Sequence, residues 1–311
     1  MAYKRVLTVQ DISCLGQCSL TVALPILSAA GHETCILPSA VLSTHTGGFT
    51  GFTFRDLTQD VPAIAAHWEK ENIRFDAIYT GYLGSMEQIG YVKDIFAKLG
   101  KEDCVYVVDP AMADNGKLYS IFDEAYAKEM ATLCAEADIV LPNITEACFM
   151  TGVPYQEKYG DAYIHTVLDA LRNAGMKTIV LTGVSFSDER TGVVVCEGES
   201  RSYYEHKRIA KGSHGTGDIY ASAFVGALLR GKTAYDAAGI AAEYTLRCIE
   251  NTQDDPEHWY GVKFEPVLPY YIERLNCAAD ATSRRPKVFG RRVFLIFGLT
   301  CRSAAACPTP R

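Results

Sequence analysis

Thr178-Ile179-Val180-Leu181-Thr182-Gly183 is an apolar, β-branched run that stops on a polar pair, and the pattern changes after it. Gly192–Glu197 and Ser202–Ile209 follow as two β-rich runs joined by Glu197-Gly198-Glu199-Ser200, which reads as an antiparallel hairpin at a sheet edge. Upstream, Arg5–Val9, Cys35–Val41, Ala77–Thr80, Val105–Asp109 and Ile139–Pro142 are similar short runs, separated by segments with helical periodicity. That alternation predicts an α/β fold with a mostly parallel central sheet, helices on both faces and one antiparallel edge hairpin. Ligands of open α/β sheets bind at the carboxyl ends of the strands, and here those ends carry polar or glycine clusters.

Downstream of the hairpin, two Ala-rich helices are expected at about 217–229 and 233–250, with Gly231 as the stop between them. Small residues should let them pack closely. The 311 residues, 48% hydrophobic and 22% charged, have ordinary globular composition, which excludes a fibrous or disordered chain. Residues 281–311 hold seven Lys/Arg and no Asp/Glu, leaving 23 basic against 37 acidic side chains before them, a net charge of −14. Such a body repels nucleic acid, so an anionic ligand must be held by a local device and not by a basic surface. We expect one domain over residues 1–280, followed by a basic tail, 281–311, that is disordered or non-native. The eleven cysteines show no CxxC or metal-site spacing and read as reduced core thiols. Neither a leader pattern nor a run near the ~18 apolar residues of a membrane helix is visible, so no membrane partner and a cytoplasmic location are expected.

The sharpest local signal is Gly212-Ser213-His214-Gly215-Thr216-Gly217-Asp218, between the hairpin and the first Ala-rich helix. Glycines there allow backbone N–H groups to converge on an anion, and a helix N-terminus adds roughly half a positive charge. Asp218, in the first turn, is placed to take a proton from a substrate hydroxyl beside that anion. The plainer alternative is that Thr216 or Asp218 merely caps the helix. No GxxxxGK[ST] and no strand-linked GxGxxG occurs, which argues against P-loop NTPases and Rossmann dehydrogenases.

With Val107-Val108-Asp109-Pro110-Ala111-Met112-Ala113-Asp114, Pro142-Asn143-Ile144-Thr145-Glu146-Ala147, Ser43-Thr44-His45-Thr46-Gly47 and Gly215-Thr216-Gly217-Asp218 in this order, the chain resembles the pyridoxal kinases of the ribokinase-like superfamily, over residues 3 to about 276. The resemblance implies ATP-dependent phosphorylation of the 5′-hydroxymethyl group of pyridoxal, and of pyridoxamine or pyridoxine, in vitamin B6 salvage. It makes Asp218 the base and Gly215, Thr216 and Gly217 the anion hole. Asp109, Asp114, Asn143 and Glu146 would surround Mg²⁺ and the phosphates, with Asp109 and Glu146 as the metal candidates. Thr182, Tyr119 and Lys211 fall where the family holds nucleotide, and a monovalent cation is a further expected ligand. Gln10, Asp11, Ser13, His45, Thr46, Gly47 and Tyr82 match positions around the pyridine ring. Thr46 could bond the ring nitrogen or 3-hydroxyl, Tyr82 pack on the ring edge, and His45 stay neutral and donate. Asp114-Asn115-Gly116-Lys117 would form a mobile flap, and a homodimer is implied.

Each assignment has an ordinary counterpart. Asp109-Pro110 is also a strand-to-turn signal, and Asn143 with Glu146 is also a capping box. Tyr119, Tyr203 and Tyr204 could simply pack the hairpin. Asp11 departs from the family, in which many members carry Ser after the first-strand Gln, and an acid there would favour a cationic amine. The Asp11 environment is similar to that of hydroxymethylpyrimidine kinases, the alternative substrate reading, although many of those carry Cys at the position of Asp218. A non-catalytic nucleotide- or vitamer-binding protein is the alternative from a different class.

Overall fold

The computed structural model describes residues 3–209, 213–277 and 287–288. In chain order the elements are β1 (Arg5–Ser13), α1 (Leu20–Ala29), β2 (Glu33–Leu42), β3 (Phe54–Asp56), α2 (Val61–Lys70), β4 (Phe75–Thr80), α3 (Met86–Leu99), β5 (Gly100–Val108), β6 (Ala113–Asp114) and β7 (Lys117–Leu118). There follow α4 (Glu124–Glu136), β8 (Ile139–Val140), α5 (Ile144–Thr151), α6 (Asp161–Asn173), β9 (Thr178–Val184), β10 (Arg190–Glu197), β11 (Ser200–Lys207), α7 (Thr216–Leu229), α8 (Ala234–Glu250), α9 (Leu268–Asn276) and β12 (Lys287–Val288).

The main sheet has the order β12-β11-β10-β9-β8-β5-β4-β1-β2-β3. The six strands from β9 to β2 run parallel, and β10, β11 and the two edge strands pair antiparallel. Because successive strand side chains point to opposite faces, each apolar run feeds two cores. Val193 and Val195 of β10 join α1, α7, α8 and α9, whereas Val194 and Cys196 join α3, α4, α5 and α6. Val6/Leu7, Ala77/Ile78 and Val107/Val108 divide the same way. Helix α7 is buried along most of its length, and its small residues let neighbours close in: a Cβ on Gly226 would stand 2.9 Å from the Ala30 Cβ.

Both edges of the expected pattern shift for physical reasons. β1 runs on past Val9 to Ser13, with a register irregularity against β2 between Gln10 and Ile12, so the polar end stays in the sheet while the chain bends. β8 stops at Val140, before Pro142, which has no N–H to give to a neighbour. β3 is a short exposed strand that carries no alternation to read. The Asp114–Lys117 segment is a tight β6–β7 hairpin, with Asn115 and Gly116 both left-handed, as a two-residue turn requires. It is tied down: the Gly116 N–H donates to Thr145 Oγ1 at 3.0 Å, and Asn143 Nδ2 donates to the Ala113 carbonyl at 2.8 Å.

The core-thiol expectation holds for Cys104, Cys134, Cys148, Cys196 and Cys248. It fails for Cys14 and Cys277, which are exposed, and for Cys18 and Cys35, which are half-buried where loop and strand ends meet polar neighbours. All nine described cysteines are free thiols. Lys211 and, apart from Lys287–Val288, the basic segment 281–311 lie outside the described residues. No helix among the described residues is long and apolar enough to cross a membrane.

Candidate active site

The carboxyl ends of the parallel strands and the start of α7 enclose a cleft of about 710 Å³. Every site residue expected from the sequence that the structure describes lines it, with one exception. Gln10 lies beneath, fully buried, with Nε2 donating to Thr8 Oγ1 at 2.8 Å and its side chain over Gly81.

Gly215 opens α7 with φ +75, and a Cβ there would overlap the Gln17 carbonyl oxygen, so only glycine fits. Among the described residues no side chain caps this 14-residue helix: Thr216 Oγ1 donates to the Ser213 carbonyl instead, at 3.3 Å. The capping explanation of Thr216 and Asp218 therefore does not apply, and the first-turn N–H groups have no side-chain partner among the described residues. Asp218 Oδ2 accepts the Ser19 N–H at 3.0 Å. Burial pushes the Asp218 carboxyl up to about 7, with the charge of Asp11 adding to the rise and the Ser19 N–H opposing it. A carboxyl poised there suits general-base work near neutrality.

Ser19 escaped the sequence reading. It occupies the N-cap position of α1 without a side-chain capping bond, in a backbone conformation with φ 55 and ψ -134 that is rare for a residue with a side chain. Backbone strain of this kind concentrates at functional sites, and here the strained residue supplies the N–H that holds Asp218. A Ser just ahead of an apolar helix was the available signal; its backbone angle was not.

On the α5 side of the cleft, Asn143 and Glu146 form the full capping box of α5: Asn143 Oδ1 accepts the Glu146 N–H at 2.9 Å, and Glu146 Oε2 accepts the Asn143 N–H at 2.8 Å. Glu146 Oε1 also accepts the Met112 N–H at 3.0 Å. Both carboxylate oxygens are thus engaged by backbone, and burial still pushes the group up to about 7. Asp109 has one backbone contact, accepting the Ala111 N–H at 3.2 Å, and burial with the charges of Glu146 and Asp218 pushes it well above the carboxylate range. Asp109, with its single backbone partner, fits a divalent cation as an oxygen donor, and Glu146, whose two oxygens already accept backbone N–H groups, stands behind it as further negative charge. Among the described residues no His/Cys/Asp/Glu group of three or more forms a metal cluster. Thr182 and Asp114 line the same end, and Tyr119, 44% exposed, stands at its rim. Tyr203 and Tyr204 are packing residues: their hydroxyls donate to the Val184 carbonyl and to Glu243.

At the opposite end lie Asp11, Ser13, His45, Thr46, Gly47 and Tyr82. Asp11, 5% exposed, accepts the Ser13 hydroxyl at 3.0 Å, and burial raises its pKa. Burial lowers the pKa of His45, so it is held neutral as expected. Its expected donation to substrate is corrected, however: Nε2–H donates to the Tyr260 carbonyl at 2.6 Å, and Nδ1 accepts the Gly47 N–H at 3.0 Å. Cys18 and His214 also line the cleft and had not been singled out as site residues.

The family model described as phosphomethylpyrimidine kinase matches residues 32–262. A Bacteroides thetaiotaomicron protein assigned to the phosphomethylpyrimidine kinases and crystallised with pyridoxal is 34% identical, with a TM-score of 0.82 over 92% of this chain and 100% of that one. The pyridoxal kinase of Lactobacillus plantarum is 29% identical, with a TM-score of 0.81 over 88% and 98% of the two chains. Among curated proteins, the pyridoxal kinase of Dictyostelium discoideum is 26% identical over 247 residues, 74% of this chain and 80% of that protein. The ribokinase-like architecture expected from the motifs is the one these structures share with this chain.

Proposed function

The chain belongs to the phosphomethylpyrimidine kinase family, and on that footing we propose that it is an ATP-dependent pyridoxal kinase that phosphorylates the 5′-hydroxymethyl group of B6 vitamers. The observation that carries this reading is Asp218 at the start of α7, with its carboxyl poised near 7 beside N–H donors that no side chain among the described residues caps.

In this mechanism the substrate 5′-hydroxyl gives its proton to Asp218 as its oxygen attacks the γ-phosphorus, and the bond from that phosphorus to the β–γ bridging oxygen breaks to release ADP. Protein covalent chemistry is not needed; alignment and charge stabilisation suffice. The N–H groups of Gly215, Thr216 and Gly217 face the charge that spreads over the transferring phosphoryl oxygens. Mg²⁺, when bound with ATP, would neutralise phosphate charge, with Asp109 as its holder and Glu146 adding negative charge behind it. Thr182, Asn143 and Asp114 border the phosphates, with Tyr119 at the nucleotide rim. Thr46, Tyr82, Asp11 and Ser13 surround the ring, and an ionised Asp11 would admit the ammonium group of pyridoxamine. A homodimer, a monovalent cation and a cytoplasmic location complete the proposal.

A hydroxymethylpyrimidine is the second reading, favoured by membership of the phosphomethylpyrimidine kinase family. ADP release measured with pyridoxal, pyridoxamine, pyridoxine, hydroxymethylpyrimidine and ribose tests both. Turnover of pyridoxal is expected. Turnover of hydroxymethylpyrimidine alone would move the substrate, and vitamer binding without ATP consumption would convert the protein into a non-catalytic binder.

A further inference from the structure

The vitamer end lacks the side-chain contact that His45 was expected to give, because both nitrogens of that ring are spent on the protein. A second imidazole stands beside it. His214 is exposed, lines the cleft, and its ring centre lies 5.3 Å from that of His45. Its neighbour in sequence is Gly215, and Asp218 follows four residues on. No hydrogen bond engages its imidazole among the described residues. The ring is seated on Gly47: a Cβ at that position would stand 2.5 Å from His214 Nδ1 and 2.7 Å from Cε1. Gly47 is not among the left-handed residues, so it is glycine for room and not for its backbone angle. The arrangement joins the substrate loop to the anion loop through one ring, and His45 supports it from behind by clamping its own loop to Tyr260.

We propose that His214 is a specificity-determining residue: seated on Gly47, its imidazole gives the polar substituents of the substrate heterocycle the hydrogen bond that His45 cannot. The inference rests on the kinase reading above and adds a residue to it. Its test combines equilibrium dialysis of the whole protein against pyridoxal, without nucleotide, with steady-state kinetics for pyridoxal and ATP.

His214→Ala is expected to weaken pyridoxal binding and raise its KM about tenfold, the worth of one good hydrogen bond, while the KM for ATP stays within about twofold. His214→Gln, which keeps a donor and an acceptor, should recover part of the loss. Gly47→Ala, which pushes the ring off its seat, should reproduce the defect, and the double variant should be no worse than either single one. Unchanged pyridoxal binding and KM in His214→Ala overturn the inference, as do losses that multiply in the double variant. A packing role alone would lower Tm and move both KM values together. Wild-type protein that neither binds nor phosphorylates pyridoxal overturns the kinase reading and this inference with it; wild-type turnover left intact by His214→Ala overturns the inference alone.

Discussion

Two helices, α5 and α7, point their N-termini into the same cleft, and each carries an acid at its third position, Glu146 after Asn143 and Asp218 after Gly215. In α5 the acid turns back onto its own N-cap and closes the end of the helix. In α7 the cap residue has no side chain, the acid is held by Ser19 from another part of the chain, and the end stays open. Similar local spacing therefore produces a structural lock in one place and an anion site with a base in the other. What separates them is the identity of the cap residue. A helix N-terminus becomes chemically useful when the protein declines to satisfy it internally.

The largest effect should come from removing the acid at the open end. Asp218→Asn is expected to lower kcat by about 10²–10⁴-fold, the range for a lost general base, while ATP binding by calorimetry persists. Retained turnover would place the base elsewhere. Next comes Gly215→Ala, which pushes a Cβ into the Gln17 carbonyl; we expect a loss of roughly 10²-fold in kcat, as for one misplaced oxyanion donor, and a lowered Tm. At the closed end the contrast reverses: Asn143→Ala should cost about 1 kcal/mol of stability, or about 2–4 °C in Tm, with a much smaller effect on kcat than either α7 variant. If Asn143→Ala matched Asp218→Asn in kcat, the two ends would not differ in the way described.

The last effect is a pH dependence of stability. The Asp218 carboxyl sits at about 7 in the folded protein against an ordinary 3.8, so the fold is penalised when that group ionises. Its favourable contribution is complete below about pH 4 and is lost as pH rises through 7. Asp218→Asn should therefore melt well above wild type at pH 8, by more than Asn143→Ala lowers Tm, a gap that closes on acidification toward pH 4. Turnover runs the opposite way, falling as pH drops through 7, because the base must be ionised.

The sheet was legible because its strands are buried on both faces and leave nearly continuous apolar runs, and the cleft because those runs end in polar clusters. β3 was not, since Phe54–Asp56 is short and exposed. The anion loop stood out because three glycines and an acid have no joint structural purpose, and the assigned residues that the structure describes gather in one cleft, Gln10 excepted. What sequence could not show was which polar groups were already taken. His45 and Glu146 have the right chemistry, but their atoms are committed to Tyr260, Gly47, Asn143 and Met112 by contacts set by tertiary folding. Ser19 was hidden for the converse reason, because its contribution is a backbone N–H that any residue possesses.

The Ser19–Asp218 contact spans 199 positions of the chain. Contacts so distant in sequence form late, since loop-closure entropy must be overcome before they yield any gain. During synthesis the β1–α1 turn emerges long before α7, and a chain halted in between has neither its base nor the open helix end. Catalytic competence is then a property of the finished fold alone, and recovery of turnover on refolding should lag behind recovery of helical signal.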